Sequence, residues 1–141
     1  MLFLFMTEMN ITYEGHLHCK AVHGPSGAIL ETDAPVDNHG KGESFSPTDL
    51  AAASLGVCLM TVMGISANDK HLELKGTTCK IEKHMSTDTP RRIIKIVADI
   101  NFVKGIPLDK RGLLEAVALH CPVAKSLSKD IEVIMNFNFP D

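Results

Sequence analysis

The chain has 141 residues, 45% of them hydrophobic and 22% charged, which suits one domain with a core of its own. Its 14 lysines and arginines against 17 aspartates and glutamates leave a formal charge of −3. That excludes the dense basic surface which nucleic acid or an anionic membrane requires of a partner.

The opening MLFLFMTEMN has no basic n-region and no small-residue cleavage site, so a signal peptide is not expected and a cytoplasmic location is. Met6 and Met9 are alternative starts to Met1, which would make residues 1–5 an extension of the reading frame. NITYEGHLHCKA, residues 10–21, alternates as a strand with Ile11, Tyr13, Leu17 and Cys19 on one face. HGPSGA supplies a turn through Gly24, Pro25 and Gly27, and AILETD returns as the second arm of a hairpin. APVDNHGKGE reads as a polar loop.

SPTDLAAASLGVCLMTVMGISANDK is the longest helical pattern. Ser46 suits the N-cap, Pro47 the first helical position, and Asp49 completes a capping box at the positive end of the helix. The helix should run to about Ala67. Its apolar residues point in nearly every direction, with Ser54 and Thr61 marking a narrow polar strip, so burial on more than one side is expected. A single two-layer domain covers one side, which leaves the other for a second subunit. Ala52, Gly56 and Gly64 form a small-residue stripe suited to close backbone approach. The uncharged run 50–65 is shorter than the ~20 residues of a membrane span.

HLELKGTTCKIEKHMS and RRIIKIVADINFVKG follow as two strands joined through TDTP, with Ile94, Ile96, Ala98, Ile100 and Phe102 on one face of the second. PLDKRGLLEAVALH predicts an amphipathic helix with Leu108, Leu114, Val117 and Ala118 on its apolar side. A short helix, PVAKSLSKD, and a last strand, IEVIMNFNF, complete an α+β order.

The four cysteines, at 19, 58, 79 and 121, show no C-x-x-C spacing, so neither a structural zinc site nor any other metal or cofactor is expected. No phosphate-binding glycine loop and no nucleophile-elbow serine occurs. Pro122 cannot continue the preceding helix but can open a new one, which makes Cys121 its N-cap. A thiol there faces unpaired N–H groups, and the expected result is a lowered pKa. Cys58 lies mid-helix among apolar residues, where desolvation raises a thiol pKa. Cys19 and Cys79 fall in strand patterns and read as fillers. His16 and His18, on one strand face, and His71 and His84 read as solvated; His120 adjoins Cys121 and either biases it or ends the helix.

SPTDLAAASLGVC together with CPV about sixty residues later resembles the OsmC/Ohr family, the osmotically inducible and organic hydroperoxide resistance proteins. The resemblance covers most of the chain. It implies one OsmC-like domain over residues 1–141, an α+β fold with antiparallel sheets packed on a long buried central helix. It also implies an intertwined homodimer with active sites at the subunit interface. By motif, Cys58 matches the peroxidatic cysteine and Cys121 the resolving one. An organic hydroperoxide would be the substrate and a dithiol the reductant, a lipoylated protein in the better-known members.

Two departures accompany the likeness. The family's arginine comes from the first hairpin turn, read here as HGPSG with Pro25 near its place, and no arginine precedes Arg91. The family's glutamate position, ten before Cys58, holds Thr48, with an acid next to it at Asp49. One helical residue is a rotation of ~100°, so Asp49 does not simply replace it. Lys20, Lys41 or His39 are candidates for the charge and Glu43 for the carboxylate. The alternative reading is a non-catalytic small-molecule-binding or thiol-sensing protein of the same fold.

Overall fold

The computed structural model describes residues 6–141. The start at Met1 and the extension over residues 1–5 lie outside the described residues. The chain falls into two compact units that divide between Leu50 and Ala51.

In the first unit, β1 (Met9–Gly15), β2 (His18–His23) and β3 (Ile29–Asp33) form an antiparallel sheet in that order. The single strand expected over 10–21 is therefore two strands. The break is a tight turn in which Gly15 (φ 86°), His16 (φ 52°) and Leu17 (φ 60°) all take the left-handed conformation. Glycine adopts that conformation freely, and three such residues in a row reverse the chain. The turn HGPSG is thus the second of the unit, closed by His23 N–H donating to the Ala28 carbonyl at 2.9 Å and Gly27 N–H to that of His23 at 2.7 Å. Register places Met9, Ile11, Tyr13, Ala21 and Leu30 on one face of this sheet, and Lys20, Glu31 and Asp33 on the other.

The helix α1 (Pro47–Asp69) opens as its sequence requires. Ser46 N–H donates to Asp49 Oδ2 at 2.9 Å and Asp49 N–H to Ser46 Oγ at 3.0 Å, the reciprocal capping box. From residue 51 onward α1 belongs to the second unit. There Ala52, Leu55, Gly56, Leu59, Met63 and Ala67 are buried, while Ser54, Val57, Thr61 and Ile65 lie on an exposed stripe. Ser54 and Thr61 bond back to the carbonyls of Ala51 and Val57, at 2.6 and 2.8 Å. By length and apolarity alone α1 could cross a membrane. Its buried stripe, with Leu55, Leu59 and Met63 fully enclosed, is that of a core helix.

The small residue Gly56 serves this chain's own packing. A Cβ there would lie 2.9 Å from Ile81 Cγ1 and 3.5 Å from Cys79 Sγ, both on β4 (Thr78–Met85). β4 pairs antiparallel with β5 (Ile93–Asn101). β6 (Glu132–Asn138) pairs parallel with β5, because α2 (Leu108–Leu119) and α3 (Pro122–Ser126) carry the chain across between them. The period-two reading of β5 appears as a buried row of Ile96, Ala98 and Ile100, continued by Phe102, but Ile94, at the start of the strand, is 40% exposed. On α2, Leu114 and Ala118 are buried, but Leu108 is 80% exposed, contrary to expectation. Six residues along a helix amount to ~600°, which turns Leu108 about 120° away from Leu114. Ile106, ahead of the helix, is buried instead.

Candidate active site

Cys58 sits on α1 between exposed Val57 and buried Leu59, which leaves it half-buried at the margin of the core stripe. Cys121 is fully buried where α2 stops and α3 starts. Its backbone is extended (φ −63°, ψ 147°), Pro122 holds the first helical position, and its Sγ accepts the Ala124 N–H at 3.4 Å. The N-cap geometry expected from CPV is therefore present. Cys121 belongs to the apolar core cluster and Cys58 packs against it, near enough to Cys121 to act on its thiol.

The expected acidity of Cys121 does not follow. Burial pushes its thiol up, and the neighbouring Cys58 pushes in the same direction. The N–H groups of Ala124 and Val123 pull downward without prevailing. A five-residue helix supplies few N–H groups, and desolvation acts on the whole sulfur. Cys121 is a resting thiol held beside Cys58.

Each remaining candidate has its own local setting. Cys79, on β4, is raised by burial and then by the negative charge of Asp99. It lines a groove of about 600 Å³ with Ala53, Gly56, Val57, Met60, Thr61 and Ile81; Cys58 is not among the lining residues. Cys19 lies on β2 of the first unit. All four cysteines are free. His120 places its Nδ1 2.9 Å from the Ala116 carbonyl, a bond that ends α2. Thr48 and Asp49 belong to the start of α1, with Thr48 Oγ1 3.2 Å from Ser46 Oγ. Glu43 is exposed, and its N–H donates to Asp33 Oδ2 at 3.1 Å. The first hairpin turn, to which the resemblance assigns an arginine, is 15–17 and holds His16; Pro25 belongs to the second turn.

One cluster escaped the sequence reading. His18 Nδ1 donates to Asp33 Oδ1 at 2.6 Å, and its Nε2 lies 3.4 Å from Glu31 and 3.8 Å from Glu14. Its signal was the glycine inside an alternating strand, which marks a turn and changes which residues pair.

The fold defines a class: an α+β protein whose long core helix carries a cysteine packed against the same apolar cluster as a second cysteine at a helix junction. A family model described as OsmC-like protein matches residues 40–136, and the chain belongs to the OsmC family. A crystal structure from Psychrobacter arcticus 273-4, provisionally named an osmotic stress induced and detoxification response protein, is 41% identical. It aligns over 96% of both chains with a TM-score of 0.87. An organic hydroperoxide resistance protein OsmC from Legionella pneumophila shares the fold at 17% identity, over 96% of this chain and 98% of its own, with a TM-score of 0.75. Another, from Elizabethkingia anophelis with thiocyanate bound, does so at 16% identity, over 96% and 97%, with a TM-score of 0.73. A search of curated proteins returns no significant match.

Proposed function

We propose that this protein is a cytoplasmic thiol peroxidase that reduces organic hydroperoxides to alcohols, acting as one OsmC-like domain per subunit of a homodimer. The observation that carries the reading is that Cys58 packs against the apolar cluster holding Cys121, whose burial keeps it a thiol. Cys58 sulfur attacks the terminal peroxide oxygen. The O–O bond breaks, the alkoxide leaves with the thiol proton as an alcohol, and Cys58 becomes a sulfenic acid. The Cys121 thiol then condenses with it, giving a disulfide and water. A dithiol returns both cysteines to thiols and is itself oxidised to a disulfide. Being neutral at rest, Cys121 adds no negative charge to compete with developing charge on Cys58.

The homodimer rests on the surface. Val57 and Ile65 on α1 are 67% and 60% exposed, and Met9, Ile11 and Tyr13 are exposed on one face of β1. Apolar rows of this extent mark interaction surfaces, and a second copy is the partner the family implies. Light scattering should give a dimer, and a monomer at micromolar concentration would remove that part of the reading.

The alternative is a binding protein of the same fold, favoured by one observation: the first hairpin turn presents His16 where the family has an arginine. Mass spectrometry of the reduced protein with one equivalent of cumene hydroperoxide separates the two. Loss of two hydrogens, as a Cys58–Cys121 disulfide, supports the peroxidase. Unreacted thiols in folded protein would overturn it.

A further inference from the structure

We infer that Glu14, His18 and Glu31 form a binding site for a divalent first-row transition-metal ion, one ligand from each strand of the first sheet. The three ligand atoms lie within 4.8 Å of one another. His18 Nε2 is 3.4 Å from Glu31 Oε1 and 3.8 Å from Glu14 Oε1. Two donors on a tetrahedral ion with bonds of about 2.1 Å stand roughly 3.4 Å apart, so small side-chain rotations close the site.

Two features beyond proximity prepare this cluster. The first is the anchoring of His18. Its other ring nitrogen donates to Asp33 at 2.6 Å, and Asp33 is only 6% exposed, with its second oxygen accepting the Glu43 N–H at 3.1 Å. A carboxylate that fixes the far nitrogen of an imidazole sets the tautomer with a free Nε2, the arrangement characteristic of metal-bound histidines. The second is the irregularity in β1 between Tyr13 and Gly15, which breaks the alternation where Glu14 sits. Such breaks re-aim a side chain, here toward His18.

The charge balance points the same way. Glu14, Glu31 and the buried Asp33 bring three carboxylates to one imidazole, a negative cluster that a divalent ion neutralises. Mixed nitrogen and oxygen donors suit zinc, iron or manganese and leave room for water as further ligands. Lys20, which pairs in register with Glu31, is the competing cation on that face.

The test is a titration of the full chain with Mn(II), followed by loss of the free-ion EPR signal, because manganese binds thiols poorly and leaves the cysteines out. Saturable binding of one ion per chain below about 1 mM is expected, with competition by Zn(II). His18→Gln and Glu14→Gln should each weaken it at least tenfold; Glu14 is exposed, so that variant should fold normally. Asp33→Asn should weaken it roughly 10- to 100-fold with the ligands intact. Lys20→Ala should bind at least as tightly. Mn(II) should raise the melting temperature of the wild type and not of His18→Gln. Absence of saturable binding, or binding unchanged in His18→Gln and Glu14→Gln, would overturn the assignment.

Discussion

Cys121→Ser tests the division of labour between the two thiols, provided that the variant folds. Cys121 is fully buried and accepts the Ala124 N–H at 3.4 Å. A serine oxygen keeps that acceptor role, but its O–H is a stronger donor than S–H and must find a partner in an apolar cluster. An unmet donor costs about 1–3 kcal/mol, against a total stability of roughly 5–15 kcal/mol. For a chain of this length that corresponds to a fall in melting temperature of roughly 3–12 °C, which leaves a folded protein at 25 °C. Circular dichroism checks that first. The folded variant, titrated with cumene hydroperoxide without reductant, should consume one equivalent. It should stop as a sulfenic acid that dimedone traps, then over-oxidise under excess peroxide. Cys58→Ser should consume none. The reverse pattern, with Cys121→Ser inert and Cys58→Ser still consuming an equivalent, would refute the reasoning and make Cys121 the attacking thiol.

Three further outcomes follow from the same structure. Leu59→Ala removes a fully enclosed side chain from the core stripe of α1 and should cost about 3–5 kcal/mol in urea unfolding; a loss under about 1 kcal/mol would contradict that packing. The proton on Cys121 is held more tightly in the folded chain than in the unfolded one, so its contribution is complete below the unfolded thiol value and lost as pH rises through the raised native value. Urea midpoints should therefore fall above about pH 8.5, less so in Cys121→Ser, and an identical fall in both would refute the assigned cause. Cys58 packs against the apolar cluster, and each alkyl CH₂ buried beside it contributes ~0.8 kcal/mol, so cumene hydroperoxide should exceed hydrogen peroxide in kcat/KM; equal values would count against an apolar substrate site.

What the sequence by itself determined are the features settled within a turn or two of chain. The reciprocal bonds of Ser46 and Asp49, the alternation that buries Ile96, Ala98 and Ile100, and the helix start at Cys121–Pro122 all depend on neighbours a few residues away. Most of the α+β order was legible for that reason, and so were the two cysteine contexts. Tertiary structure decided what depends on enclosure and register. A helix end acts locally and favours a Cys121 thiolate, but desolvation comes from residues distant in sequence, and it prevails. The turn at Gly15 divides one apparent strand into two, and only the resulting pairing of His18 with Asp33 brings Glu14 and Glu31 beside the imidazole. Cross-strand neighbours are set by register, and a single misplaced turn shifts every one of them.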